Sequence, residues 1–573
     1  MNVTKLIVGG FKSIRERTEI PIAPLTFLFG PNSAGKSAVL LALNTIREKL
    51  SEQNRDEPEF VRILRLTVQG PEAYSYQAPR SSEDAEPVRH AVTLGVEIDA
   101  FPADATAGCD EGMDAPRAMA LERFWALDKA CVGLVFVEAT RGMQFASEIT
   151  VDGKELVNFV DATTVSIQNQ SATEQLDPPP VANDRGHWRS ISKYWGAVFL
   201  SLDHSFWGSS ELASLLKTLV QLATDAKCEF IRKTLYLDGT TLVIRAPTRL
   251  FHVDGWGRHI DLSQLCDVLS PGTDSTQHPM VREEVLNAIP FVDSACTAVS
   301  FLVRQLRYIA TRELDVFQVA GDRKILHEDD TATELDVTHT AGRGARIKDY
   351  AAWLGVVRGG RDVVAAKAME AAEAIDDFVN DSLRLDFFAG RRYQVKPEVM
   401  HITVVGLLER EPDNDSFAER LKVNLFLEDS NGRHLDFSEV GSGVSYVMPV
   451  LVSLWGTNRS WIEQPELHLH PAAQCELGDV VIRAFNRGRF SIIETHSEHM
   501  LLRVLKRVRK TVSGSADDPE LKCLPETLSV LYFEPLADGS TSIRQLRVSR
   551  GGDFMDRWPD GFFEERDREL FDE

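Results

Sequence analysis

The N-terminal part of the chain carries a clear alternation of apolar and polar positions. Short apolar runs at 3–10 and 25–29 predict two strands. The second run leads through GPNSAGKS into a stretch whose apolar positions recur every three or four residues, which predicts an amphipathic helix. The apolar stripe of that helix consists of Val39, Leu40, Leu43, Ile46 and Leu50. We therefore expect the order strand, glycine-rich loop and helix near residue 30.

A second block of regular pattern begins near residue 398. Apolar runs predict strands at 399–408, 421–429, 489–497, 528–536 and 541–549. Helical periodicity predicts helices at 437–455, 471–487 and 498–510. Pro471 suits the first turn of the second helix, because a backbone N–H at that position has no partner within the helix. Trp461 and Ile462 predict a short, weak strand just before the sequence EQPELHLHP.

The residues between these blocks carry shorter and less regular patterns. LVFVEA at 134–139 and SEITVDG at 147–153 predict a hairpin, and YIATRE at 308–313 predicts a buried strand. We expect Arg312 to pair with Glu313 or another nearby acid rather than with a phosphate. Helical segments are expected at 209–224 and 363–383. No heptad pattern is sustained, so a long coiled-coil arm is not expected.

Length and composition limit the class of protein. A chain of 573 residues exceeds the roughly 250–300 residues at which a single core stops growing, so at least two substructures are expected. No apolar stretch reaches the ~18 residues of a membrane span, and no secretory signal is visible. The seven cysteines are dispersed and form no C-x-x-C pair, which is typical of a reducing cytoplasm. The formal charge of −23 argues against a surface that coats nucleic acid.

The loop GPNSAGKS matches the phosphate-binding pattern G-x-x-x-x-G-K-[ST] in its required context of strand and helix. Its backbone N–H groups and the helix N-terminus would hold phosphates, Lys36 would neutralise the outer phosphates, and Ser37 would present its hydroxyl to Mg²⁺. Gly35 would let the backbone approach closely. The predicted ATP-binding residues are Gly30, Pro31, Asn32, Ser33, Ala34, Gly35, Lys36 and Ser37.

A phosphate loop of this kind needs an acid from a neighbouring strand to hold the magnesium ion. Glu463, at the end of the strand in WIEQPE, is the best candidate in the chain. The alternative is a solvated glutamate in a turn. The predicted metal site is therefore Ser37 and Glu463, with ATP and Mg²⁺ as cofactors.

With these residues identified, the chain resembles the ABC-type ATPases of the SMC and OLD group, and in particular bacterial AAA-family ATPases of anti-phage loci. The segments that carry the resemblance are GFKSIRE with the phosphate loop, FSEVGSGVSYVMPVL, IEQPELHLHP and IIETHSEHMLLRV. The resemblance implies an α/β ABC-type P-loop ATPase head with a mixed sheet, and an inserted lobe of mainly helical or mixed structure. The expected divisions are 1–155 and 391–510 for the head, 156–390 for the lobe, and 511–573 for a strand pair and tail.

The resemblance also implies a mechanism in which two heads enclose ATP. Ser442 and Gly443 would reach the γ-phosphate bound by a partner head, and His496 would lie beside the γ-phosphate or the attacking water. The alternatives are a flexible linker before a core helix for GSGVS, and a polar loop residue for His496. Two-fold pairing of this kind is the commonest symmetry among oligomers.

Aligned on the D-E-P-E pattern of related heads, Gln464 takes the place of the general base. An amide cannot accept a proton from water, although it can orient one. We expect a slow ATPase in which Glu466 assists, and an ATP-gated clamp that hardly turns over is the alternative. His468 and His470 could ligate Zn²⁺ or Mn²⁺, but the resemblance implies structural roles for both.

No nuclease pattern is visible in the chain. The 63 residues after Lys510 contain no D-x-D, and PD at 559–560 lacks the spacing of a PD-(D/E)xK nuclease. We therefore expect a separate effector protein, with a nuclease among the candidates. The basic segment 503–510 could touch DNA, but a solvated helix C-terminus is the favoured interpretation. The alternative functions are a DNA repair or chromosome-maintenance ATPase that acts on DNA, and a scaffold with a structural nucleotide.

Overall fold

A computed structural model describes residues 3–51, 92–99, 131–139, 144–161, 195–201, 203–204, 235–238, 241–247, 311–323, 326, 333–336, 379–382, 393–404, 418–516 and 518–557. In chain order its strands are β1 (Val3–Gly9), β2 (Thr18–Pro21), β3 (Leu25–Phe29), β4 (Val92–Asp99), β5 (Cys131–Ala139), β6 (Gln144–Val151), β7 (Lys154–Asp161), β8 (Trp195–Ser201), β9 (Leu235–Asp238), β10 (Thr241–Pro247), β11 (Phe317–Val319), β12 (Thr333–Asp336), β13 (Gln394–Val404), β14 (Ala418–Glu428), β15 (His434–Leu435), β16 (Arg459–Glu463), β17 (Phe490–Glu494), β18 (Leu528–Pro535) and β19 (Thr541–Gln545). The helices described over their whole length are α1 (Lys36–Ser51), α2 (Ser442–Gly456), α3 (Pro471–Asn486) and α4 (Glu498–Val512).

A six-stranded sheet positions the candidate site. Its spatial order is β11, β16, β17, β3, β18, β19, so strands from both ends of the chain lie side by side. The first five strands are parallel, and β19 pairs with β18 in the antiparallel sense. The carboxyl ends of β16, β17 and β3 therefore meet at one edge of the sheet. This mixed sheet, with the glycine-rich loop between β3 and α1, confirms the predicted α/β P-loop head.

The helix boundaries follow from local capping. His470 accepts a hydrogen bond from the N–H of Ala472 and Pro471 occupies the first position of α3. Ser497 accepts from the N–H of Met500 at the start of α4. The predicted helix over 437–455 begins later, at Ser442. A short 3-10 turn with a capping box precedes it, formed by Asp436 and Glu439.

Two antiparallel sheets accompany the head. The larger has nine strands in the order β2, β1, β4, β5, β6, β7, β8, β10, β9, and α1 contacts its strands β1 and β4. The predicted hairpin is confirmed, because β5 pairs with β6. The smaller sheet contains β12, β14 and β13, with β15 paired to β14. Strands on both sides of residue 155 belong to the nine-stranded sheet, and the division into domains remains a prediction.

The core lies between the six-stranded sheet and the helices α2, α3 and α4. All five residues of β3 are fully buried, as are Trp461 and Ile462 of β16. Val395 and Val423 of the smaller antiparallel sheet belong to the same hydrophobic cluster. Burying one such side chain contributes about 1.5–3 kcal/mol, so this packing holds the short strand β16 in the sheet despite its weak sequence pattern.

The prediction of a strand at 308–313 is wrong for residues 311–313, the part of this segment that the structure describes. Residues 311–313 are helical, and the strand of this region is β11, at Phe317–Val319. A short apolar run cannot be assigned to strand or helix from periodicity alone, which explains the error. Glu313 is buried and pairs with Arg459.

The helices predicted at 209–224 and, apart from residues 379–382, at 363–383 lie outside the described residues, as does the tail from 558. No described helix is long and apolar enough to cross a membrane.

Candidate nucleotide-binding site

The glycine-rich loop is tightly packed on its inner side. Gly30 has a φ of 142°, and a Cβ added there would lie 2.5 Å from the carbonyl oxygen of Phe533 in β18. Gly35 has a φ of 90°, and a Cβ there would lie 2.3 Å from the hydroxyl of Ser13. Both positions therefore require glycine for its conformation and for space. Ser33 also has a positive φ, of 64°.

The loop is braced from distant parts of the chain. The N–H of Thr541 donates to the carbonyl of Ser13 at 2.7 Å, and its hydroxyl donates to the carbonyl of Ala34 at 3.0 Å. The outer face of the loop is open to solvent, because Pro31, Asn32 and Ser33 are exposed. Ser37 is exposed as well, in the first turn of α1. The loop thus presents backbone and hydroxyl groups at a helix N-terminus, which favours an anionic ligand.

Lys36 lies against the inner side of the loop and is only 4% exposed. Its amine donates to the carbonyls of Gly30 and Pro31, both at 2.9 Å. It also lies 3.5 Å from a carboxylate oxygen of Glu494. Burial lowers the pKa of Lys36, and the charge of Glu494 opposes that shift.

Glu463 ends β16, as predicted, and both of its carboxylate oxygens are held. Gln318 donates to one oxygen at 2.9 Å, and the N–H of Gly321 donates to the other at 3.0 Å. Both donors come from β11 and the loop that follows it. Sequence reasoning missed these residues, because a three-residue strand in the irregular middle of the chain gives almost no periodic signal.

Gln464 follows directly and turns the chain away from the sheet. Its φ is 43°, in the left-handed region, and its N–H donates to the carbonyl of Glu494 at 2.7 Å. Arg323 donates to the carbonyls of Glu463 and Gln464, each at 2.7 Å. The turn that follows the predicted metal ligand is therefore held from β17 and from the loop after β11.

Glu466 connects this turn to the loop after β17. One of its oxygens accepts from the hydroxyl of Thr495 at 2.8 Å, and the other accepts from the N–H of His496 at 2.7 Å. Burial raises the pKa of Glu466. Burial, together with the positive charge of Lys36, lowers the pKa of His496. The structure thus brings together the predicted residues Lys36, Glu466 and His496.

Glu494 is an acid that sequence reasoning did not select. It ends β17, in register with Glu463 on one side and Leu28 on the other. Its second carboxylate oxygen is buried and has no hydrogen-bond partner among the described residues. Burial raises its pKa, Lys36 opposes the shift, and Glu463 adds to it. A glutamate closing an apolar strand next to a predicted phosphate loop was the signal that could have identified it.

The histidines of HLHP have structural surroundings. His470 caps α3, and the ring of His468 lies 4.4 Å from that of Tyr446 in α2. No group of three or more His, Cys, Asp and Glu side chains suited to a metal ion occurs within the described part of the chain. Mg²⁺ usually takes one or two carboxylates together with substrate phosphates, and the oxygens of Glu463 and Ser37 fit that requirement.

The predicted signature residues lie at the start of α2. Gly441 is the N-cap, Ser442 is half-buried, and Gly443 is buried. Ser445 anchors this turn by donating to the carbonyl of Phe437 at 3.1 Å. A serine hydroxyl at the N-terminus of a helix is suited to an anion, because the helix dipole favours negative charge there.

Comparison with known proteins gives partial matches. Residues 346–501 match a family model described as "AAA domain, putative AbiEii toxin, Type IV TA system". The match contains Ser442, Glu463, Glu466 and His496, and the loop Gly30–Ser37 lies outside it. Among curated proteins, none matches the chain significantly.

Solved structures of SMC heads are similar over most of the chain. The Smc head of Pyrococcus furiosus, bound to the C-terminal domain of ScpA, has 12% identity and a TM-score of 0.32, and the alignment covers 95% of this chain and 96% of that one. The SMC head of Thermotoga maritima has 9% identity and a TM-score of 0.31, with 96% and 100% covered. The strand order and the loop between β3 and α1 define the fold independently of these alignments.

Proposed function

We propose that the chain is a magnesium-dependent ATP-binding ATPase of the ABC and SMC-like type, with slow hydrolysis. The observation that supports it best is the convergence of Lys36, Glu463, Glu466 and His496 at one edge of the six-stranded sheet. This edge also receives the loop N–H groups at the start of α1. A phosphoryl group held there would meet a cation, a metal-binding carboxylate and a proton acceptor together.

The roles follow from the contacts. Ser37 and Glu463 would hold Mg²⁺, which when bound neutralises charge on the phosphates. Gln464 would orient the attacking water. Glu466, whose pKa burial raises, would assist in accepting its proton. Because the acid is displaced from the usual base position, we expect turnover to be slow.

We further propose that two heads enclose ATP, with Ser442 and Gly443 of one head facing the phosphates bound by the other. The placement of both residues at the N-terminus of α2 supports this arrangement. ATP should shift Glu466→Gln from monomer to dimer in analytical ultracentrifugation. Adding Ser442→Arg should prevent the shift, since the bulky side chain would occupy the phosphate position.

The biological role proposed is regulation of a separate effector in anti-phage defence. The family description quoted above, with its toxin and Type IV TA system, is compatible with that role. Direct action on DNA is less well supported than this role, although helix α4 is basic. Its Arg503 and Arg507 are paired with Asp479 of α3, so these two side chains are engaged within the head.

ATP turnover of the purified chain with Mg²⁺ tests the proposal. Lys36→Ala should lower turnover at least about a hundredfold, as losing one strong transition-state donor does. The matched control is Lys5→Ala, because Lys5 pairs with Glu19 and Glu97 on the nine-stranded sheet. Equal turnover by wild type and Lys36→Ala would contradict the proposal.

A further inference from the structure

The loop after β11 reaches the turn at the end of β16 from 140 residues earlier in the chain. Arg323 is the residue of this loop that makes most of the contact. Its guanidinium donates to the carbonyl of Glu463 at 2.7 Å and to that of Gln464 at 2.7 Å. It also donates to the carbonyl of Ala320 at 2.8 Å, which fixes its own loop. One side chain therefore joins two segments that are remote in sequence.

The hydrogen bonds from Arg323 lie where the backbone leaves the sheet and adopts a left-handed conformation. Among the described residues, Glu463 is the last residue of β16 paired with β17 and Ile462 the last paired with β11, so the Gln464 carbonyl lies beyond both ladders. Gln464 then adopts a φ of 43°, which costs a residue with a side chain about 1 kcal/mol or more. A planar guanidinium can bind two adjacent carbonyls at once, whereas an ammonium group binds as a point charge.

The same loop also sets the direction of the Glu463 carboxylate. Gln318 and Gly321 donate to its two oxygens, and the position of Gly321 depends on the loop that Arg323 closes at Ala320. Arg323 is half-buried, and burial lowers its pKa while Glu466 and Glu463 oppose that shift. Its charge therefore lies among the carboxylates of the site without contacting a ligand-binding oxygen of Glu463.

We propose that Arg323 is a positioning residue for the magnesium site: it clamps the Glu463–Gln464 turn and so fixes the position of the Glu463 carboxylate. This role rests on the proposed function and extends it to a residue outside every recognised motif. Supporting groups around a metal ligand typically affect metal affinity by about 10- to 100-fold when they are removed.

The test measures ATP binding by isothermal titration calorimetry, without Mg²⁺ and over a series of Mg²⁺ concentrations. Arg323→Lys and Arg323→Gln should bind ATP like wild type without Mg²⁺, because the phosphate loop is untouched. Both should need about tenfold more Mg²⁺ to reach half of the metal-dependent gain in affinity. Arg323→Lys should not restore the wild-type value, since an ammonium group cannot bind both carbonyls.

The matched control is Arg459→Lys, at the opposite end of β16, where Arg459 pairs with Glu313. It should lower the melting temperature without shifting the Mg²⁺ requirement. Equal Mg²⁺ requirements in wild type and both Arg323 variants would overturn the role of Arg323, as would an equal shift in Arg459→Lys. A wild-type chain that binds no ATP at any Mg²⁺ concentration would instead overturn the proposed function, and this role with it.

Discussion

Two clusters of charged side chains lie in the same head. They differ in whether their surroundings favour or disfavour the ionised forms of the side chains. Between α3 and α4, Asp479 is 3% exposed and accepts hydrogen bonds from Arg503 at 2.7 Å and from Arg507 at 2.5 and 2.7 Å. Hydrogen bonding to Asp479 raises the pKa of Arg507. Burial lowers the pKa of Arg503, but the charges of Asp479 and Glu476 outweigh that effect and raise it. Both arginines of this α3–α4 cluster are thus stabilised in their ionised form.

At the carboxyl edge of the six-stranded sheet, the surroundings disfavour the ionised forms instead. Three carboxylates, those of Glu463, Glu466 and Glu494, share the edge with the cations Lys36 and Arg323. Burial raises the pKa of Glu466 and Glu494, and burial lowers the pKa of Lys36 and Arg323. The ionised form is therefore disfavoured for all four. Groups perturbed in this way are typical of sites that bind ligands or transfer protons, whereas the α3–α4 cluster serves stability.

The largest effect on stability is expected for Asp479→Ala. The change leaves Arg503 and Arg507 without their shared carboxylate, and breaking a buried pair costs about 3–5 kcal/mol. We expect the lower end, because both arginine side chains are 19% exposed. Urea unfolding measures the loss, and ATP affinity of the folded fraction should not change.

Glu476→Ala is the control for this variant, since Glu476 contacts only Arg503 of the pair, at 3.1 Å and nearer to solvent. It should cost about 1 kcal/mol or less. A similar loss in both variants would mean that Asp479 is not the centre of the α3–α4 cluster. A fall in ATP affinity with Asp479→Ala would show that the two clusters are not independent.

Glu466→Gln should lower turnover without lowering stability, which is the opposite of the effect expected for Asp479→Ala. Turnover should fall at least about tenfold, because an amide cannot accept the proton. The free energy of unfolding should stay the same or rise by up to about 1 kcal/mol, as functional sites are often stabilised by removal of a perturbed group. The amide retains both local contacts, accepting from the N–H of His496 and donating to the hydroxyl of Thr495.

The pH dependence sharpens this prediction. The pKa of Glu466 is raised in the folded state, so the ionised side chain opposes folding above that pKa, and this cost disappears as pH falls below the ordinary value of 4.5. The stability gained by Glu466→Gln should therefore be largest near pH 8 and vanish towards pH 4. Melting temperatures of both proteins across this range measure it. A gain that grows on acidification would refute the assignment of a raised pKa.

The sequence predicted one half of the site better than the other. The residues from Gly30 to Ser37 form a contiguous motif flanked by a strong strand and an amphipathic helix, so local pattern was enough. Glu463 was selected because it ends the strand predicted in WIEQPE, and Glu466 because it is the acid next to Gln464, which takes the base position in the family pattern. Their convergence with His496 follows from the parallel order of β16 and β17. Glu494 is in register with Glu463 and lies within the segment IIETHSEHMLLRV, but only His496 of that segment was selected.

Arg323, Gln318 and Gly321 could not be found by the same means. Their roles depend on β11 pairing with β16, a contact between residues about 140 positions apart, and β11 has only three residues. Periodicity needs a longer run to be recognised. The strand predicted instead at 308–313 shows how such a region misleads. Tertiary pairing, rather than local propensity, decides which short segment enters the sheet.

The smallest effect is expected for an ion pair outside both clusters. Arg547 and Asp556 are joined by hydrogen bonds of 2.6–3.2 Å near the surface, and they lower the pKa of Asp556 to about 2. The folded pKa lies below the ordinary 3.8, so this pair supports folding above pH 3.8 and loses that support as pH falls through 2. Asp556→Asn should therefore change the melting temperature slightly at pH 7, and the change should shrink as pH falls from 3.8 through 2. Salt should weaken the effect at pH 7, because exposed pairs are screened, whereas it should leave the Asp479→Ala loss nearly unchanged. A salt-resistant loss at Asp556 as large as that at Asp479 would mean that burial is not what separates a structural charge cluster from a surface ion pair in this head.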